Sequence, residues 1–339
     1  MVSHPETWLR VTPQGLCCLP GGFHIDPLRP VERAVITHAH ADHARPGHRH
    51  VLASAETLAI MRARMGEERA GERQQALAIG ETIRLDDVEV SLAPAGHVLG
   101  SCQVVMEYRG SRAVVSGDYK RRADPTCAPF VPIPCDVFVT EATFGLPVFR
   151  HPPVKGEIER LFHSMALFPE RTHVIGCYAL GKCQRLIASL REAGYDAPIY
   201  LHGALRGVCD VYEQLGVRLG ELRPATVAEK AALAGAIVLA PPSAIADRWA
   251  RRLNDPVTGL ASGWMAVRQR AKSRGVELPL VISDHADWDE LTATLRDVGA
   301  PEVWVTHGSE EALIHQAGLM GIRARALKLI GYGEEEEAA

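Results

Sequence analysis

Near the N-terminus an apolar run, Arg33–Thr37, leads directly into His38-Ala39-His40-Ala41-Asp42-His43. No other stretch restricts the fold and chemistry of this chain as much, because four side chains able to bind a metal fall within six residues. Histidines at i and i+2, with Asp and His at i+4 and i+5, cannot share one helix face, but they can converge from a tight loop between a strand and a helix. One such histidine would be an ordinary surface or hydrogen-bonded residue, whereas four donors at one strand end have no packing use. Imidazole and carboxylate together suit zinc, manganese or iron. Of 15 histidines, His38, His40, His43, His48 and His50 lie within thirteen positions.

Later segments repeat the arrangement. Strand-like runs Val88–Pro94, Gln103–Tyr108, Arg112–Ser116 and Val137–Thr140 follow, with Arg109-Gly110 as a hairpin turn. His97 lies between glycines in the turn joining two of them, and Asp118 follows another. From about residue 150 strands and helices alternate, which predicts crossover connections and a partly parallel sheet. The predicted elements are strand His173–Tyr178, helix Lys182–Arg191, strand Pro198–His202, helix Leu205–Leu215 and strand Gly235–Ala240. The end reads as strand Leu280–Ser283, helix Trp288–Val298, strand Glu302–Thr306, helix Ser309–Met320 and strand Ala324–Leu329, which puts His285 and His307 at strand ends. His151-Pro152-Pro153 and the Pro241–Gly263 region are the candidate boundaries of an inserted segment. Ligand-binding residues of α/β folds gather at strand ends, so these loops are expected to meet at one edge.

Composition bounds the partners. The formal charge is −4, and Glu334–Glu337 account for all of it, leaving a neutral body and an acidic tail expected to be disordered. A nucleic-acid site would therefore need a local concentration of Lys and Arg. Met1–Pro20 shows no signal-peptide pattern and no run is long enough to span a membrane, so the expectation is a cytoplasmic protein without membrane contact. Eight dispersed cysteines without a Cys-x-x-Cys pair argue against disulfides and thiolate zinc.

The series His-x-His-x-Asp-His, then His97, Asp118 and His307, resembles the metallo-β-lactamase superfamily in residue type, order and strand context. The resemblance implies an α/β fold, an αββα sandwich, with two divalent ions, zinc and/or manganese. One would be held by His38, His40 and His97 and the other by Asp42, His43 and His307, with Asp118 bridging. Asp26 stands where the family has an acidic residue that orients a ligand histidine. Val139-Thr140-Glu141-Ala142-Thr143-Phe144-Gly145, Ser283-Asp284-His285-Ala286-Asp287 and His307 resemble the three motifs of the β-CASP nucleases. Tyr178-Ala179-Leu180-Gly181-Lys182-Cys183-Gln184 resembles the element that opens the first helix of their inserted α/β domain. The implied division is 1–150 and 276–332 for the metallo-β-lactamase domain, 151–275 for the β-CASP insert and 333–339 for the tail.

Within that branch, Thr-Glu-Ala-Thr-Phe-Gly-Leu-Pro and Ser-Gly-Trp-Met are most similar to the bacterial DNA ligase-associated exonucleases. This similarity implies a metal-dependent DNA exonuclease acting from 5′ ends in repair, beside an ATP-dependent DNA ligase and a helicase. His307 cuts the other way, because RNA-processing relatives carry His there, so RNA stays open as a substrate. A small-molecule metallo-hydrolase and a metal-deficient scaffold are the remaining classes. The expected catalytic set is Asp42, Glu141 and His285, the last as general acid held by Glu141. Phosphate contacts are expected from Lys120, Arg121 and Arg122, and from Lys182 and Arg185 at the start of a helix; Arg45 and Arg49 flank the histidine cluster.

Overall fold

A computed structural model describes every residue except 1, 227, 229, 246, 248, 254 and 329–339. The acidic tail thus lies outside the described residues. The described residues divide into two compact units, 2–149 with 285–328, and 150–284.

The first unit opens with six short strands: β1 (Leu9–Thr12), β2 (Gly15–Cys18), β3 (Phe23–Ile25), β4 (Arg33–Val35), β5 (His50–Ala53) and β6 (Arg73–Ala76). They form one sheet in chain order, antiparallel from β1 to β3 and parallel from β3 to β6. Helix α1 (Ala55–Met65) joins β5 to β6, capped by the Ser54 hydroxyl on the Thr57 amide. A meander follows, β7 (Thr82–Leu85), β8 (Val88–Pro94), β9 (Cys102–Tyr108) and β10 (Ser111–Val115), and β11 (Val137–Ala142) joins β10 in parallel. Arg109 and Gly110, both at positive φ (45° and 78°), make the tight turn between β9 and β10.

The second unit begins with α2 (Val154–Leu167) and runs through β12 (His173–Gly176), α3 (Lys182–Glu192), β13 (Ile199–Leu201), α4 (Gly203–Gln214), β14 (Leu222–Pro224) and β15 (Ile237–Ala240). The short helix α5 (Pro242–Ile245), β16 (Val257–Ala261), α6 (Arg268–Arg274) and β17 (Leu278–Leu280) complete it. Its sheet, ordered β14-β13-β15-β12-β16-β17, pairs in parallel throughout. Strands buried on both faces suit such a sheet, and His173–Gly176 and Ile237–Ala240 are buried at every position. Sequence reading makes the Lys182 helix the first of this unit, but α2 precedes it. The expected strand Leu280–Ser283 lies earlier, at β17, and pairs with β16. The first compact unit resumes at His285.

Back in the first unit, α7 (Trp288–Val298), β18 (Glu302–Gly308), α8 (Glu310–Leu319) and β19 (Arg323–Ala326) extend the meander to a seven-stranded sheet, β19-β18-β11-β10-β9-β8-β7. Alternate residues of its central strands enter two cores. Val104, Met106, Val137, Val139 and Trp304 pack with Leu16, Phe23, Ile25, Val35 and Leu52 of the first sheet. Val105, Val114, Phe138, Val303 and Val305 pack with Leu291, Leu295, Leu313 and Ala317 of α7 and α8. The period-2 alternation of strand side chains is what lets one sheet serve both cores.

Candidate metal centre

Five loops at the ends of β4, β8, β10, β11 and β18, and the segment before α7, are held together by backbone hydrogen bonds. Cys102 N donates to Thr37 O (2.8 Å), Lys120 N to Ala95 O (3.1 Å), Ala286 N to Tyr119 O (2.6 Å) and Ser309 N to Ala142 O (2.9 Å). Glycine permits the closest approaches. A Cβ on Gly117 would stand 2.7 Å from the Thr37 side chain, and one on Gly96 2.3 Å from Lys120 O. His307 and Gly308 both adopt left-handed φ, 61° and 74°.

These contacts bring the expected donors together. His38 Nε2 and His97 Nε2 lie 3.1 Å and 3.0 Å from His40 Nδ1, and 3.4 Å and 3.7 Å from Asp118 Oδ2. His43 Nε2 is 3.4 Å from the same oxygen and 3.5 Å from Asp42 Oδ2. His38, His40, His97 and Asp118 form one group able to hold an ion, and His43, Asp118 and His307 a second that shares the carboxylate. A third consists of Asp118, Glu141 and His285. Asp42 contacts His43 but falls outside all three groups. The loop carrying these donors connects two strands, β4 and β5, and not a strand to a helix. Of the sequence cluster, His50 opens β5 and pairs with Glu32 at 3.6 Å, while His48 is buried apart from all three groups.

The donor set fits divalent ions. His38, His43, His97 and Asp118 are buried, and no packing requirement calls for such a concentration of nitrogen and carboxylate. Burial and the neighbouring His43 hold His38 well below the ordinary imidazole value. Burial and His43 likewise bring His307 to about 4. For His43 burial also acts downward, but the Asp118 and Asp42 carboxylates outweigh it and hold the proton well above the usual range. Burial opposes ionisation of Asp118, yet His43 and His285 keep it well below the ordinary carboxylate value. His38 and His307 are thus held neutral and Asp118 ionised, the forms that bind metal, while His43 would release its proton on binding.

Asp26 lies beneath the histidine loop, in contact with Thr37 and His43. At φ 42° it accepts from Thr37 N (2.8 Å) and Thr37 Oγ1 (2.6 Å) and lies 2.8 Å from His43 Nδ1. Thr37 Oγ1 is also 3.0 Å from His38 Nδ1, a role the sequence reading did not assign, although its position before the first histidine was the available signal. Glu141 accepts from Tyr119 N (2.7 Å) and holds His285 Nδ1 at 2.9 Å and 3.1 Å through its two oxygens. Phe144 meets the His285 ring edge-on, with centroids 6.2 Å apart.

The residues expected to contact phosphate are engaged in ion pairs. Lys120 is buried against Asp124, Arg121 pairs with Asp297, and Arg122 pairs with Asp287 and Glu290. Lys182 and Arg185 are buried, each 3.1 Å from Asp284. Lys120, Lys182 and Arg185, buried and satisfied by carboxylates, are part of the fold, whereas Arg121 and Arg122 remain partly exposed.

No protein-family model matches the chain. It is 29% identical over 321 residues to a probable DNA ligase of Opitutus terrae, an alignment covering 93% of this chain and 30% of the ligase, so it spans less than a third of that protein. It is 27% identical over 389 residues to a ribonuclease of Thermus thermophilus, covering 92% of this chain and 89% of the ribonuclease. The chain belongs to the β-CASP branch of the metallo-β-lactamase superfamily. A crystal structure of a protein of unknown function from Enterococcus faecalis superposes with a TM-score of 0.60 at 11% identity, over 86% of this β-CASP chain and 78% of its own, which is a likeness of fold. Among the described residues no helix is long and apolar enough to cross a membrane.

Proposed function

We propose that this β-CASP protein is a metal-dependent nuclease hydrolysing phosphodiester bonds, with DNA ends as its substrate and a DNA ligase acting beside it. The observation that carries the reading is the Glu141–His285 pair, which shares a group with Asp118 next to the two histidine-rich groups. A small-molecule hydrolase would have no use for that pair. The two cores around the seven-stranded sheet support an αββα sandwich for the first unit, and residues 150–284 are read as the β-CASP insert.

One ion would be held by His38, His40 and His97, and a second by His43 and His307 with Asp42 beside them, Asp118 serving both; zinc and manganese both suit these donors. Bound there, divalent ions would supply a hydroxide near neutral pH and positive charge toward the phosphate. The chain's own residues do the rest. Asp26 and Thr37 fix the His43 and His38 rings through the nitrogens turned away from Asp118. Glu141 holds His285 by Nδ1, so a proton would pass from Nε2 to the leaving oxygen.

The ligase relative supports DNA, and the Thermus ribonuclease, matched over most of its length, supports RNA as the second reading. The helicase expectation finds no support among the relatives. Metal-loaded protein incubated with matched DNA and RNA, each labelled at the 5′ or the 3′ end, separates the readings. Release of mononucleotides from the 5′ end of DNA, with RNA left intact, is the expected result. Cleavage of RNA alone would replace the first reading with the second.

A further inference from the structure

Two cations expected at the nucleic-acid surface are instead buried in the second unit. Lys182 and Arg185 stand one helical turn apart at the start of α3, so both project from the same face. Lys182 Nζ lies 3.1 Å from one oxygen of Asp284 and Arg185 Nη1 3.1 Å from the other, and Arg185 also donates to the Ser283 carbonyl. Relative exposures of 0% for Lys182, 2% for Arg185 and 3% for Asp284 rule out a solvated surface pair. The base of this arrangement is stiff. Gln184 Oε1 accepts from Gly181 N (2.8 Å) and its Nε2 donates to Ala179 O (2.9 Å), closing the turn that launches α3.

Residues 283–284 have no regular secondary structure of their own, and the next residue in the chain is His285. Two buried cations meet the Asp284 carboxylate, one at each oxygen. They fix a peptide segment by its side chain and its carbonyl at once. We propose that Lys182, Arg185 and Asp284 form a clamp whose task is to position His285, so that these are positioning residues for proton delivery to the leaving oxygen. The inference rests on His285 acting as general acid. Its consequence is selective: misplacing an acid slows only reactions whose leaving group needs a proton.

Leaving-group dependence gives the test. Arg185→Lys keeps the charge but withdraws the guanidinium whose Nη1 meets both the Ser283 carbonyl and Asp284 Oδ1, and Asp284→Asn removes the carboxylate. Each is compared with wild type and His285→Ala on an oligonucleotide, whose alkoxide must be protonated, and on thymidine 5′-p-nitrophenyl phosphate, whose nitrophenolate leaves unaided. Metal content and the thermal midpoint are recorded alongside. For Arg185→Lys, kcat on the oligonucleotide should fall about tenfold or more, with KM and metal content unchanged and the nitrophenyl ester turned over within about twofold of wild type. If Asp284→Asn fails to fold, Arg185→Lys carries the test alone. Equal losses on both substrates, or none on either, while His285→Ala remains selective, overturn the clamp and leave the acid assignment standing. Loss of selectivity in His285→Ala itself overturns the acid reading, and the clamp with it.

Discussion

A Cβ on Gly308 would stand 2.2 Å from the Ala142 carbonyl oxygen, at a φ of 74° that L side chains rarely adopt. Gly308→Ala is therefore expected to shift His307 and to lower both metal content and thermal midpoint; unchanged values for both would show that the contact is not what places His307. Asp26 reaches the site through Thr37 and His43. Asp26→Ala should weaken metal binding about 10- to 100-fold while the fold persists, as a chelator titration would show. His48 is a different case: neither ring nitrogen has a hydrogen-bond partner among the described residues, and burial pushes it down to about 4. Its unfolded value is near 6.5, so between those two values the unfolded chain binds the additional proton. The contribution is complete above pH 6.5 and is lost as the pH falls toward 4, up to about 3 kcal/mol. In metal-loaded protein, His48→Leu should flatten the fall in urea midpoint between pH 7 and pH 5; an identical slope would contradict this.

At the scale of elements, α7 begins where the site ends. Asp287 caps it reciprocally with Glu290, and Arg122 reaches both carboxylates. The basic run Lys120-Arg121-Arg122 is thus joinery between the loop after β10 and α7. Arg122→Gln is expected to cost about 1–2 kcal/mol of stability and leave the salt dependence of nucleic-acid binding unchanged. A smaller salt slope at unchanged stability would return Arg122 to the phosphate path. The strands that carry ligands were legible because donors follow apolar runs buried on one or both faces. Val88–Pro94 and the helix Trp288–Val298 match the structure residue for residue. Strands β6 and β7 were missed because β6 has a single small apolar residue among mostly exposed polar ones, and the Ile83 and Leu85 alternation of β7 is only four residues long. The roles of Lys182 and Arg185 were illegible for another reason: Asp284 lies about a hundred residues away, and charge type alone does not tell a solvated cation from a buried one.

For the molecule as a whole, the proposed function requires a body of zero formal charge to present positive potential to a phosphodiester without surplus Lys or Arg. With Lys120, Arg121, Arg122, Lys182 and Arg185 committed to ion pairs, divalent ions in the histidine groups are the natural source of that charge. The sequence order of donors was enough to place the chain in its family. What it left open was which carboxylate counts most, and the geometry points to Asp118, common to all three groups. Metal stoichiometry and phosphodiester hydrolysis measured together on wild type and Asp118→Ala test this directly. The account predicts about two bound divalent ions and metal-dependent hydrolysis for wild type, with fewer than one ion and about a thousandfold or greater loss of turnover for the variant. Hydrolysis by the metal-free protein, or full activity and full metal content in Asp118→Ala, would contradict it.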